Sequence, residues 1–462
     1  MTPSSLAVKI QKSAQAPNWD TFCRYLNQYF SALSPQSVDD GYQSQTSDIS
    51  YAAHRDAELL TADILTTVLQ AFQMGDFQLR WDLSKMIPNF GPRAIAPLIE
   101  LLDEAQDEDD WELSWFIARI LGHYPIDQSI NALQSLLQST SQEDVRAVVI
   151  DALASMEEAA LPALSALVRH PSTRLSAVQA LARIHHPDVA SILMTVVQDE
   201  DAETRAVAIA ALSHRHQPEI TQLLIHALGD SATAVRRAAV IGVGLQHRML
   251  PEATFLAVLE PLLWDINLEV RRQTVLALSR LQSEPSAHLL FETLCSADTP
   301  PMLWRDIVRS LVWTETTTAL EHLRMFVHFG GHPSGDSHPE TPVMNQMLNQ
   351  PMNQPVNPRF HEVPAQLQVL HDVATALGSV EHSRLRAIAT DTLVDILSML
   401  HQREVYAQPS LGHHVLAIKQ AVVHSLGHLG QPQAIPVLDA ILNTDPDTRI
   451  QLHTRRALEK IK

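Results

Sequence analysis

Apolar residues recur at three- and four-residue spacing through most of the chain, interrupted by capping residues, prolines and short polar turns, and this periodicity predicts amphipathic helices rather than strands. Val145, Val149, Ala152 and Leu153 form one such apolar face, and Val270, Val275, Ala277 and Leu278 form its counterpart further along. The faces belong to a repeat. Alignment on a basic residue seven before a Leu, Ile or Val gives Arg80, Arg146, Arg174, Arg205, Arg236, Arg271, Arg386 and Lys419, while Ser114, Trp304 and Gln451 hold the same register without the basic group. Steps from 80 to 304 are 34, 32, 28, 31, 31, 35 and 33 residues, and those from 386 to 451 are 33 and 32, the length of two helices with their turns. Four residues before the anchor, Asp76, Asp110, Asp201, Asn267 and Asp447 are placed to cap the first helix. Beyond it, Pro92, Pro187, Pro218, Pro251, Pro285 and Pro432 suit the opening turn of the second. One helix pair cannot hide its own apolar face, so the chain is expected to be all-α, a right-handed α-solenoid of about ten stacked pairs.

Two stretches leave the pattern and set the expected divisions. Residues 1–75 are read as N-terminal helices and a linker capping the array: a helix over Trp19–Leu33, a polar linker over Ser34–Ser50, and a helix over His54–Met74. Repeats follow over 76–328. Residues 329–361 carry GGHPSGDSHPE and MNQMLNQPMNQPVNP without apolar periodicity, which predicts a mobile, disordered Pro/Asn/Gln/Met-rich insertion. C-terminal repeats occupy 362–462.

The segments GQPQAIPVLDAIL (430–442), HPDVASILMTVV (186–197), DAETRAVAIAAL and NLEVRRQTVLAL resemble the short HEAT-like repeats of the phycobilisome-lyase type, found in cyanobacterial bilin lyases and in many other scaffolds. The likeness spans roughly residues 76–327 and 380–462 and rests on positions that stack repeats. It implies a scaffold or chaperone for a partner protein, such as a phycobiliprotein or another acidic protein, in assembly or turnover of a pigment–protein complex. It also implies an alternative, a phycobilin lyase or isomerase attaching a bilin to a phycobiliprotein cysteine.

Composition narrows these readings. With 462 residues, 45% of them hydrophobic, the chain exceeds what one compact core serves, which favours a repeat array. A formal charge of −19 opposes a phosphate backbone, so no nucleic-acid partner is expected. Two cysteines, Cys23 and Cys295, make neither a disulfide framework nor a four-thiolate metal centre, and they fit a reducing, cytoplasmic setting. The first 17 residues lack an apolar signal core, and no window approaches 18 apolar residues, so no membrane span is expected.

Candidate chemistry concentrates one residue past each anchor. That stripe reads Trp81, Trp115, Ala147, Leu175, Ala206, Arg237, Arg272 and Arg305: aromatic, then small, then basic. Four residues on, along the same helix face, come Lys85, Arg119, Asp151, Gln179, Ala210, Ile241, Leu276 and Arg309. Guanidinium pairs with carboxylate and indole stacks on flat apolar bodies. Trp81, Lys85, Trp115, Arg119, Arg237, Arg272, Arg305 and Arg309 are therefore the candidate partner-binding set on a concave face, suited to an acidic surface or a bilin with its propionates. The competing reading packs the tryptophans against the capping helices and bonds the arginines to neighbouring repeats.

No catalytic residue and no resident metal or cofactor is assigned. His424 and His428 have the i, i+4 spacing of a zinc pair but no carboxylate to complete a site. Met344, Met347 and Met352 beside His332 and His338 read as part of the loop, and Gly242-x-Gly244 lacks the third glycine and the strand of a phosphate cradle. The acidic run from Asp103 to Asp110 reads as a solvated turn between repeats.

Overall fold

The computed structural model describes residues 2–15, 18–33, 47–329, 363–402 and 412–462. Apart from Phe329, the expected insertion at 329–361, with its Met and His residues, and most of the Ser34–Ser50 linker lie outside the described residues. Every regular element among those described is helical. The chain divides into two compact units, 1–211 and 212–462.

The first unit comprises α1 (Pro3–Gln15), α2 (Trp19–Leu33), α3 (Ser47–Met74), α4 (Phe77–Met86), α5 (Ile95–Asp107), α6 (Trp111–Leu121), α7 (Asp127–Ser139), α8 (Glu143–Ser155), α9 (Leu161–Val168), α10 (Pro171–Leu181), α11 (Val189–Leu193) and α12 (Ala202–Leu212, its last residue past the division). The first helices of successive pairs, α4, α6, α8 and α10, pack side by side in one layer, and α5, α7 and α9 form a second layer. The pairing follows from burial: Val145, Val149 and Leu153 of α8 are at most 1% exposed, a face that only a neighbouring pair can cover. Helix α1, which the apolar pattern did not predict, tucks Leu6, Ala7 and Ile10 against α2 and α3. Its apolar residues Leu6, Ala7, Val8 and Ile10 bunch in one turn rather than recurring along it, too short a pattern to signal a helix from periodicity alone.

The second unit comprises α13 (Pro218–Ala227), α14 (Thr233–Leu245), α15 (Glu252–Leu259), α16 (Leu268–Ser279), α17 (Glu284–Cys295), α18 (Pro301–Trp313), α19 (Thr317–Phe329), α20 (Val363–Leu377), α21 (Ser383–Gln402), α22 (Gly412–Leu429), α23 (Ile435–Thr444) and α24 (Thr448–Ile461). Helices α14, α16, α18, α20, α22 and α24 stack in one layer, with α17, α19, α21 and α23 in the other. This corrects the repeat register at one point. Arg386 lies on α21, in the second layer, so it is not a first-helix anchor, although it stands 33 residues before Lys419. A spacing fixes the repeat length but not which helix of the pair it marks.

Both units are α-solenoid in construction, and their helix ends are set by local chemistry. All five expected caps form: the side chains of Asp76, Asp110, Asp201, Asn267 and Asp447 each accept from backbone N–H groups two or three residues on. Gly242 and Gly244 mark close approach. A Cβ at Gly244 would sit 2.8 Å from Ala277 Cβ, so Gly244 lets α14 and α16 pack closely, and one at Gly242 would sit 2.9 Å from the Leu224 side chain of α13.

Candidate functional site

The anchor residues do more than mark the repeat. Arg146, Arg174, Arg205, Arg236, Arg271 and Gln451 each donate to the backbone carbonyl six residues upstream, at Thr140, Val168, Asp199, Asp230, Asp265 and Asp445. They thereby satisfy carbonyls left open where the preceding helix ends or its loop turns. Several anchors also reach the next repeat: Arg80 to Asp110 at 2.8 Å, Arg174 to Asp199 at 2.7 Å, Arg236 to Asp265 at 2.7 Å and Lys419 to Asp445 at 2.6 Å. The aspartates in turn fold their own loops, for Asp199, Asp230, Asp265 and Asp445 each accept from the backbone N–H two residues on. Asp110, read from sequence as part of a solvated acidic turn, is such a partner. Burial raises its carboxyl, but the hydrogen bonds and charge of Arg80 and the N–H groups of its own helix outweigh that and hold it below the ordinary carboxylate range. Asp265 behaves alike beside Arg236. The acid at six before the anchor, in Asp199, Asp230, Asp265, Asp298 and Asp445, was visible in the sequence and would have revealed this clamp.

One residue on, side chains turn outward. Trp81, Lys85, Trp115 and Arg119 fall in the first unit, and Arg237, Arg272, Arg305 and Arg309 in the second; each is exposed or half-exposed. In the first unit the aromatic end forms a patch. Trp81 stacks on Phe77 with 14° between the planes, and the edges of Trp81 and Trp115 meet the buried ring of Phe116 beneath. The Arg119 guanidinium lies 4.5 Å from the Trp81 ring centre and 5.7 Å from that of Trp115, and the Lys85 ammonium lies 4.9 Å from Trp81. Helices α4 and α6, bound through Arg80 and Asp110, hold the two indoles and the cation in place. Arg119 is a cation–π donor with no ion pair among the described residues, so its charge stays available. Next along this unit, Ala147 and Leu175, with Asp151 and Gln179, line a groove of 1130 Å³.

In the second unit the arginines divide. Arg272 pairs with Asp306 of the following repeat at 2.9 Å and with Glu269 at 3.6 Å. For this residue the neighbour-bonding reading holds. Arg305 approaches Asp372 only at 3.9 Å, Arg309 covers Trp313 at 5.2 Å, and Arg237 has no ion pair among the described residues. Trp313, which the stripe did not include, is 47% exposed and continues the Arg305, Arg309 face at the next four-residue step.

The remaining candidates gather no chemistry. Burial, with Asp82 and Asp20 nearby, pushes the Cys23 thiol up to about 11, and burial, with Glu292, pushes Cys295 up to about 12, so neither is a thiolate at neutral pH. His424 and His428 share α22 with rings 5.2 Å apart, and burial, His428, Lys460 and His453 lower the pKa of His424. Among the described residues no three potential ligands converge on a metal position, and no helix is long and apolar enough to cross a membrane.

A family profile for HEAT repeats matches residues 95–175 and 167–244. No curated protein matches the sequence at a significant level. Among solved structures the chain is similar to an engineered protein (16% identity, 86% of this chain and 98% of that one, TM-score 0.30). It is also similar to the YibA protein of Escherichia coli (18%, 64% and 96%, 0.32) and to Kap121p (14%, 97% and 55%, 0.40). Residues 95–244 thus carry HEAT-type repeats, and the stacked helix pairs of both units are built in the same way.

Proposed function

We propose that the chain is a non-catalytic repeat scaffold that holds a partner protein with an acidic surface, and that the Trp81–Arg119 patch of the first unit is a principal contact. One observation carries the reading. Two half-exposed indoles and two cations, from α4 and α6, are assembled on a buried aromatic floor, and the Arg119 charge has no ion pair among the described residues. Trp and Arg are the side chains that dominate protein interfaces when packed together in this way. Arg119 supplies positive charge on a chain that is strongly negative overall, while Lys85 shares its charge with Asp82 at 3.7 Å, so a carboxylate-rich partner surface is locally favoured at Arg119. A bilin, planar and carboxylate-bearing, answers the same features and makes a pigmented protein one class of partner.

The test compares proteins retained from source lysate by the immobilised wild-type chain and by a Trp81→Ala, Arg119→Glu variant with unchanged melting temperature. Loss of a specific protein in the variant supports the reading, and absorption of the wild-type eluate tells whether it carries pigment. The same proteins retained by both overturns it.

A further inference from the structure

A second site lies in the second unit, between α18 and α20. Arg305, Arg309 and Trp313 stand at i, i+4 and i+8 along one face of α18 and form one wall of a 350 Å³ pocket, near the lower end of the range of about 300–1,000 Å³ usual for ligand sites. Val312 and Ala376, both less than a tenth exposed, line its apolar part. The charges do not cancel. Asp372 is the one carboxylate lining the pocket; it is buried, it accepts from Gln368 at 3.2 Å, and it lies 3.9 Å from Arg305 Nε. Arg309 has no carboxylate partner among the described residues; its guanidinium lies against the Trp313 ring. His371 also lines the pocket, its Nδ1 3.8 Å from Asp372; of the permanently charged groups, two guanidiniums against one carboxylate leave a single positive charge beside an indole wall and an apolar floor.

From this geometry we infer that the pocket binds a single carboxylate followed by an apolar side chain in a partner peptide, an acidic–apolar dyad of the Glu-Leu kind. One uncompensated charge matches one carboxylate rather than a polyanion. The planar forks of Arg305 and Arg309 supply paired donors of the geometry a carboxylate accepts. The indole of Trp313 and the Val312, Ala376 floor give the neighbouring side chain an apolar seat. The inference rests on the scaffold reading for the source of the peptide, but its site and its ligand chemistry are separate from the Trp81–Arg119 patch.

The experiment uses the full chain and three fluorescein-labelled peptides, carrying Glu-Leu, Gln-Leu or Glu-Ser in one Gly-Ser background, read by fluorescence anisotropy. The Glu-Leu peptide is expected to bind roughly tenfold or more tightly than Gln-Leu, the size of one charge-assisted pair. Arg309→Gln should abolish that preference and Arg309→Lys should restore part of it. Trp313→Ala should abolish the preference of Glu-Leu over Glu-Ser while leaving that of Glu over Gln. Equal binding of Glu-Leu and Gln-Leu to the wild type, absence of binding, or a preference that survives an Arg305→Gln, Arg309→Gln double variant overturns the inference. Free glutarate displacing the peptide at comparable concentration also overturns it, since the site then takes small carboxylates rather than peptide. A protein retained through the Trp81–Arg119 patch while this pocket ignores all three peptides sinks this inference alone; the reverse result sinks the first-unit contact alone.

Discussion

Arg236 and Arg237 are adjacent on α14, separated by about 100° around the helix, and they meet opposite fates. Arg236 is mostly buried, donates to the carbonyls of Asp230 and Ser231, and grips both oxygens of Asp265 in the next repeat. Arg237 is exposed and has no ion pair among the described residues. The same division recurs along each unit: anchors such as Arg80, Arg174 and Lys419 also join repeats, and the position after the anchor faces outward. In a repeat protein, stability is a sum of terms between neighbours, so the anchor is held to one chemistry while the next residue is free to vary. That freedom explains why the stripe runs from tryptophan through alanine to arginine while most anchors, Ser114, Trp304 and Gln451 aside, stay basic.

The sharpest break of the comparison is at the innermost clamp. Lys419 and Asp445 are at most 2% exposed and 2.6 Å apart, and removing one member strands the other charge in the interior. Asp445→Ala is expected to cost about 3–5 kcal/mol in urea unfolding, whereas Lys419→Met with Asp445→Leu should recover most of that loss. Equal losses in the single and double variants would show that loop geometry, not charge, is what Asp445 supplies.

The Arg236–Asp265 clamp should show as acid sensitivity. Burial opposes ionisation of Asp265, but the Arg236 hydrogen bonds and charge prevail, so its folded pKa lies below the ordinary carboxylate value. The unfolded chain therefore takes up the proton first as pH falls. The stabilisation is present above about pH 4 and disappears as pH drops through the folded value. Asp265→Asn is expected to lose about 1–3 kcal/mol at neutral pH, with the gap to wild type closing below pH 4. A gap that stays constant down to pH 2 would remove the charge from the account.

How much of this was legible depended on whether a feature is local in sequence. Caps at Asp76 or Asn267, and the buried faces of α8 and α16, follow from spacings within one helix, and they appear as read. The outward phase of Trp81 or Arg237 also follows from helix geometry once an anchor is chosen. Pairings of the stripe between repeats were not legible: Arg272 to Asp306 spans 34 residues, and nothing in either helix alone selects that partner. Arg386 failed for a related reason, because both helices of a pair carry similar apolar spacing and only packing tells the layers apart. The Arg305, Arg309, Trp313 wall was half visible, since the stripe stopped one helical turn short of the indole.

Arg272 and Arg309 sharpen the comparison within the outward stripe. Arg272→Glu would set a third carboxylate beside Asp306 and Glu269 and is expected to cost about 1 kcal/mol, the scale of exposed pairs turned repulsive. Arg309→Glu faces no carboxylate partner and should stay within about 0.5 kcal/mol. Charge reversal at Arg272 is for that reason a poor probe of partner binding, because lost stability and lost contact would arrive together, whereas reversal at Arg309 separates them. If both reversals cost the same in thermal unfolding, the difference between them drawn from Asp306 is wrong.

The smallest expected effect tests the division most directly. Arg237→Ala removes a side chain with no ion pair among the described residues, on a helix where alanine is the better helix former, and unfolding stability should change by no more than about 0.5 kcal/mol in either direction. Arg236→Ala, one residue earlier, opens two carbonyls and strands the Asp265 carboxylate, and should cost about 2 kcal/mol or more. Because the two positions differ by a single step in register, a slip of one residue along α14 would exchange the two results. Measuring both substitutions in the same urea titration therefore tests the phase of the helix itself, on which the outward direction of this part of the stripe depends.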